Sequence, residues 1–188
     1  MRFVFNEKKA AQAAAYLLKL NRGKMKYLKL MKLLYLADRH CLIKSGLPIT
    51  GDAFVAMKHG PVLSRTYDLL KSGGKHWMNL VCRPEVYWVD LVKSEPETDE
   101  LCNIEIESLQ TVFRQYGHLR EWDLVNLTHS LPEYSDPADA TPPSKVIPID
   151  PEDILRAEEV PPQRIRDIAE QAQEFQVIHD LVLKAGVI

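Results

Sequence analysis

The sequence predicts a mainly α-helical domain of α+β character: a compact multi-helix unit with a small β-hairpin insertion and a long C-terminal helix. Three observations support this fold class. Apolar residues recur at helical spacing in most segments, β-branched and aromatic residues concentrate only between Trp77 and Val92, and an apolar stripe at spacings of three and four runs through residues 165–182.

The segment 26–43 predicts a central helix, because apolar side chains cover most of its circumference and Lys29, Lys32 and Arg39 leave only a narrow polar stripe. Asp38 falls in the middle of the apolar face. An unpaired buried carboxylate would cost several kcal/mol, so we expect Asp38 to bond a backbone N–H, a hydroxyl or a basic side chain. We assign Asp38, together with Tyr35, to the framework rather than to a site.

Local signals set the ends of the first two helices. Asn6 is a predicted N-cap for a helix over 7–20, with Gly23 near its end, and Gly46 with Pro48 closes the central helix.

Gly60-Pro61 marks the next change of backbone direction. Proline loses no useful donor at the first helical position, so Pro61 is predicted to open a helix that passes Tyr67 and ends at residues 73–74. His59 is then expected just ahead of a helix N-terminus.

The remaining elements follow from spacing and composition. Residues 77–92 predict a hairpin broken at 83–85, and two helices are expected next, the second carrying Trp122 and His129. Six prolines between Pro132 and Pro151 predict a long surface loop in which 146–149 docks as an extended segment. A short helix over 151–159 and a long helix to about 185 complete the chain, the latter a lid on the core or a docking surface.

Charge is distributed unevenly along the chain. Residues 1–75 contain 15 Lys or Arg against 4 Asp or Glu, and residues 76–188 contain 9 against 22. Either the two halves face each other, or a basic surface meets an anionic partner. Nucleic acid therefore stays open as a partner for the basic run in the N-terminal half, whose members are Lys19, Arg22, Lys24, Lys26, Lys29 and Lys32 together with Tyr27. The alternative is a solvated helix face.

The composition, 46% hydrophobic and 27% charged, is typical of a globular protein. No apolar run reaches the roughly 20 residues that a membrane helix needs, and no secretory signal precedes the first helix. Three cysteines, widely spaced and odd in number, suit a reducing compartment. We therefore expect a cytoplasmic protein that does not contact the membrane.

The sequence carries no short-range motif for a metal ion or a nucleotide phosphate. No close Cys/His pair indicates a metal, and residues 73–74 are not followed by the lysine and hydroxyl of a phosphate loop. A nucleophile with a base from a distant segment stays open, as does an enzyme site near Asp38 and His59. We expect no cofactor, no metal and no enzymatic activity.

Several segments, taken in order, resemble the Panacea domain of SocA-like antitoxins. The similarity covers about residues 5–135 and rests on LMKLLYLAD at 30–38, GLPI at 46–49, FVAMKHGPV at 54–62, YD at 67–68, YG at 116–117, the 122–127 helix and LTH at 127–129. The family usually continues to Pro-Trp after this histidine, whereas this chain has LPEY at 131–134.

The resemblance implies a helical antitoxin of a bacterial or phage toxin–antitoxin system, which neutralises a cognate protein toxin by direct binding. One SocA-like branch acts as a proteolytic adaptor that presents its toxin to an ATP-dependent protease. The predicted organisation is an antitoxin domain over 1–135, with the Pro-rich loop and C-terminal helices of 136–188 packed on it or extending it. The expected partner-binding residues are His59, Gly60, Pro61, Tyr67, Trp122 and His129. The rival function is a nucleic-acid-binding autoregulator that uses the basic N-terminal half.

Overall fold

The structure, a computed structural model, describes residues 1–185. The helices within this range are α1 Glu7–Leu20, α2 Tyr27–Ser45, α3 Ser64–Ser72, α4 Trp77–Leu80, α5 Asn103–Tyr116, α6 Glu121–His129, α7 Pro151–Ala157 and α8 Pro162–Lys184. The strands are β1 Lys24–Lys26, β2 Phe54–Met57, β3 Gly60–Leu63, β4 Val81–Glu85, β5 Trp88–Leu91 and β6 Val146–Pro148. The predicted mainly α fold with α+β character is confirmed. None of the described helices combines the length and apolar character needed to span a membrane.

Helix α2 is the centre of the fold, as predicted. It packs against α1, α5, α6, α7 and β3, and residues 30–39 of this helix are all buried. Gly46 ends it in the left-handed conformation, with φ of 87°, and donates its N–H to the carbonyl of Leu42 at 2.8 Å. The enclosed surface includes Lys32 and Arg39, so two residues of the predicted polar stripe are buried, whereas Lys29 is half-buried.

Helix α1 begins as predicted. The side chain of Asn6 accepts a 3.0 Å hydrogen bond from the backbone N–H of Lys9, which satisfies one of the donors exposed at a helix start. Small side chains then allow α1 to approach α2 and α5 closely, and alanines 10, 11, 13, 14 and 15 are all fully buried.

Pro61 does not begin a helix, and this prediction is wrong. Strands β2 and β3 form an antiparallel hairpin in which Pro61 lies opposite Ala56. Because β3 is an edge strand, in the order β3-β2-β6, a residue without an N–H is tolerated there. His59 therefore lies in the hairpin turn, and not just ahead of a helix N-terminus as expected.

Helix α3 begins three residues later and is capped from a distance. The carboxylate of Asp52 accepts hydrogen bonds from the N–H groups of Arg65 at 3.0 Å and Thr66 at 2.7 Å, and from the Thr66 hydroxyl at 2.8 Å. A cap that precedes its helix by twelve positions leaves no short-range sequence signal.

The second sheet contains the predicted hairpin with a shifted turn. Strands β4 and β5 pair antiparallel, and β1 adds to β5. Residues 83–85, expected to break the hairpin, belong to β4, and the turn lies at residues 86–87. Residues 77–80 form the short helix α4 instead of strand.

The Pro-rich region rejoins the fold as an extended segment, as predicted. Strand β6 pairs antiparallel with β2, so that Val55 lies opposite Pro148. Helix α7 then packs on α2, and the first half of α8 docks through Ile165, Ile168 and Ala172, which are buried. Beyond Ala172 the helix carries exposed apolar side chains, including Phe175 at 50% and Leu181 at 60% of full exposure.

Candidate partner-binding surface

The six candidate contact residues come from three elements that meet at the β2–β3 hairpin. The turn of the hairpin carries His59, and the His59 ring contacts the Trp122 ring of α6 edge to face, with 5.5 Å between centroids. Trp122 is 54% exposed, and His59 is also exposed. Tyr67, from α3, is half-buried beside them. We call the surface formed by His59, Tyr67 and Trp122 the hairpin surface.

The other three candidates lie behind the hairpin surface. Gly60 and Pro61 are buried, and His129 is half-buried. Gly60 has a φ of 87°, and a Cβ added to it would lie 2.8 Å from Thr128 Oγ1, 2.9 Å from Lys32 Nζ and 2.9 Å from His129 Cδ2. Three motifs that are far apart in the sequence therefore converge on the backbone of one glycine. Glycine adopts a φ above zero without strain, and its lack of a Cβ leaves room for the three neighbouring side chains.

Lys32 is the unexpected member of this cluster. Its side chain is fully buried, and Nζ donates a 2.7 Å hydrogen bond to the carbonyl oxygen of Pro61. Burial lowers the pKa of Lys32 to about 7, because removal from water disfavours the charged form. In the sequence, Lys32 belongs to a basic run. Its position within an otherwise apolar helix was the signal for burial.

His129 is fixed within the same cluster. Its ring stacks on Tyr134 with 4.5 Å between centroids, and the Tyr134 hydroxyl donates to the carbonyl of Met57 at 3.2 Å. Its Nε2 atom is buried and makes no hydrogen bond within the described part of the chain. The pKa of His129 is lowered, first by burial and then by the Lys32 ammonium. The arrangement indicates that His129 supports the hairpin from behind.

A small pocket opens on the hairpin surface. Its volume is about 90 Å³, and its walls come from α2, the hairpin and α3. Tyr27, Met31 and Met57 all line this pocket, and none of the three was among the predicted contact residues. The complete lining is Tyr27, Leu28, Met31, Met57, Lys58, His59, Gly60, Val62 and Tyr67.

The segment after His129 is anchored on the central helix by a buried ion pair. The Glu133 carboxylate, whose side chain is fully buried, accepts hydrogen bonds from the Tyr35 hydroxyl at 2.8 Å and from Arg39 Nε at 2.7 Å. Arg39 also pairs with Glu158 at 2.6 Å. Burial raises the pKa of Tyr35, and the adjacent Glu133 charge raises it further. These contacts occupy the part of the chain where the family pattern has Pro-Trp.

Asp38 has the kind of partners that its burial requires. Its carboxyl accepts a 3.2 Å hydrogen bond from the Thr50 N–H and a 2.5 Å hydrogen bond from the Thr50 hydroxyl. Burial raises the pKa of Asp38 to about 8, and the nearby Asp52 charge acts in the same direction. Asp38 does not line the pocket beside His59. The contacts of Asp38 join α2 to the chain ahead of β2, a framework position.

The basic run is largely paired within the molecule. Lys24 Nζ lies 3.2 Å from Glu85, Lys29 donates to the Gly117 carbonyl at 2.6 Å, and Lys32 is buried. Ion pairs also join Lys19 to Glu95 and Lys26 to Glu121. These pairs favour the alternative in which the basic and acidic halves face each other, and the interpretation of the whole run as a solvated face is wrong at Lys32, which is buried.

Comparison with known proteins identifies a family. The sequence model described as Antitoxin SocA-like, Panacea domain matches residues 30–134, more than half of the chain. The chain therefore belongs to the SocA-like antitoxin family. The matched range contains most of α2 and all of the β2–β3 hairpin, α3 and α6, and the last three of these elements build the hairpin surface. Comparison with curated proteins gives no match, and comparison with solved structures gives none either.

Proposed function

We propose that this protein neutralises a cognate protein toxin by direct binding at the hairpin surface, without catalysing a reaction. Membership of the SocA-like antitoxin family supports a toxin partner in general. The observation that favours this particular surface is the exposed contact between His59 and Trp122 next to a 90 Å³ pocket.

The chemistry of the hairpin surface suits protein recognition. Trp and Tyr are enriched among the residues that dominate binding energy. Trp122 contacts the His59 ring, and Tyr67 lines the same pocket as His59. The pocket is the size of one side chain, and Met31 and Met57 give it apolar walls. We infer that the toxin inserts one apolar side chain there while Trp122 packs against its flank.

The surface is supported from behind, which reduces the entropy lost on binding. Lys32 holds the Pro61 carbonyl, and the His129–Tyr134 stack holds the hairpin through Met57. Preorganised surfaces bind more tightly because fewer groups have to be ordered on association.

Binding has two proposed outcomes. The antitoxin either blocks the toxin while bound, or acts as a proteolytic adaptor that delivers it to an ATP-dependent protease. Toxin half-life after synthesis is stopped separates them, since blockade leaves the half-life unchanged or longer and delivery shortens it only when the protease is present.

The primary experiment is co-expression of this protein with the product of the adjacent reading frame, with growth as the readout. We expect that product to stop growth alone and growth to recover with this protein. Absence of both toxicity and rescue would contradict the proposal.

The contact surface is tested separately with Trp122→Ala and Tyr67→Ala. Loss of a central aromatic contact typically weakens binding by roughly 2–4 kcal/mol, or about 30- to 1000-fold. Met78→Ala is the control, because Met78 is 62% exposed in α4 and takes part neither in the His59–Trp122 contact nor in the pocket. Circular dichroism should show that all three variants are folded. Equal affinity of the three for the toxin would place the interface elsewhere.

A further inference from the structure

The outward face of α8 changes character halfway along the helix. The inward face docks on the body through Ile165, Ile168 and Ala172, and Ile168 packs over Gly46 at the end of α2. At 100° per residue, the opposite face is polar as far as Glu174 and then presents Val177 and Leu181, which are 52% and 60% exposed. A helix normally turns its polar face to solvent, so these two side chains indicate a partner.

The order of residues on this outward face is symmetric. Glu174, Val177, Leu181 and Lys184 follow at spacings of three, four and three, which are the a-d-a-d positions of a heptad seam. Glu174 therefore lies three positions before Val177, and Lys184 lies three positions after Leu181. Neither Glu174 nor Lys184 forms an ion pair with another residue in the described range.

We propose that this face binds a second copy of the same chain, with the two α8 helices antiparallel about residue 179. An isologous two-fold contact requires a patch that is complementary to itself, and this one is. In that arrangement Val177 of each copy packs on Leu181 of the other, and Glu174 of each copy faces Lys184 of the other.

The geometry of the chain is compatible with this pairing. The outward face points away from the body that α8 docks on, so a two-fold axis at the seam places the two bodies on opposite sides. The hairpin surface uses α3, α6 and the β2–β3 turn rather than α8, so each copy keeps it free. A seam of four residues per copy is smaller than a standard specific interface of roughly 20–30 residues a side, so we expect a weak, reversible dimer.

Sedimentation equilibrium of the full chain across the micromolar range tests the proposal. We expect a reversible monomer–dimer equilibrium, and Leu181→Asp should abolish it because it places a charge in the apolar layer. Glu174→Lys and Lys184→Glu should each weaken the dimer roughly tenfold, since each creates like-charge contacts at both ends of the seam. The double variant E174K/K184E should restore it.

Arg166→Glu is the matched control, because Arg166 is exposed on the same face but lies beyond the overlap of the two helices. Circular dichroism and an unchanged unfolding midpoint establish that each variant is folded. A chain that stays monomeric throughout the range would overturn the proposal. A dimer that Leu181→Asp does not affect would also overturn it. So would charge reversals that the double variant fails to rescue, which is the result expected of a parallel pair of helices.

Discussion

Lys32 Nζ and the Pro61 carbonyl oxygen are 2.7 Å apart, in a hydrogen bond that joins the central helix to the second strand of the hairpin. The bond links two family motifs, the KLLY of α2 and the HGPV of the turn, which are separated by about thirty residues in the sequence. Burying a lysine to bind a carbonyl costs free energy, because the charged amine loses its hydration. Its presence behind the hairpin surface indicates that the position of this turn matters to the protein.

Replacing Lys32 by Met should change the pH dependence of stability. The pKa of lysine is 10.5 when unfolded and about 7 in the folded chain, so the unfolded state binds more protons between these values. Stability of the wild type should therefore rise with pH, by roughly 2 kcal/mol between pH 7 and pH 9 relative to Lys32→Met. Urea unfolding at several pH values measures this difference, and parallel curves for the two proteins would contradict the assignment. Toxin affinity should fall in Lys32→Met, because the turn loses its anchor.

Gly60→Ala should be much more damaging than Gly23→Ala. Both glycines have a φ of 87°, so both substitutions carry the same backbone strain of about 1 kcal/mol. A Cβ at Gly60 would also lie within 3.0 Å of Lys32 and Thr128, whereas at Gly23 no atom lies within 4 Å. We expect Gly60→Ala to destabilise by roughly 2–4 kcal/mol in total, measured by thermal or urea unfolding. Equal losses at the two positions would mean that the hairpin can move away from α6.

Glu133→Ala should be strongly destabilising, because it leaves Arg39 buried without the fully buried carboxylate that pairs with it. Removal of one member of a buried pair typically costs roughly 3–5 kcal/mol. Glu158→Ala removes the other carboxylate on Arg39, but the Glu158 side chain is 40% exposed and water replaces it, so we expect a loss below about 1 kcal/mol. Urea denaturation of the two variants compares them directly, and a similar loss in both would contradict the assigned burial.

Asp38→Asn should remove a second pH dependence, of opposite sign to that of Lys32. The pKa of Asp38 is 3.8 when unfolded and about 8 when folded, so the folded state binds more protons between these values. Wild-type stability should therefore fall as pH rises, by roughly 2–3 kcal/mol between pH 5 and pH 7 relative to Asp38→Asn. A difference that stays constant over this range would show that Thr50 keeps the carboxylate ionised.

Local signals explain which parts of the fold were predictable. Asn6 and Gly46 act on their own helices within a few residues, and the helix ends they mark were correctly placed. The site depends on contacts between distant segments, and these carry no periodic pattern. Pro61 was misassigned because proline suits both a helix start and an edge strand, and the choice was made by pairing with Ala56. The role of Lys32 depends on Gly60, which only the folded chain brings beside it.

The strand that pairs with the second edge of β2 comes from outside the part of the chain that matches the family. Residues 146–148 pair with β2, and the Ile149 N–H donates to the Phe54 carbonyl at 2.9 Å, whereas the family match ends at residue 134. A fragment cut at that boundary would bare the backbone donors and acceptors of β2 next to the turn that carries His59. Such open edges recruit strands from neighbouring molecules, so truncated preparations should aggregate. By pairing with β2, the proline-rich stretch therefore prevents this edge from pairing with other molecules.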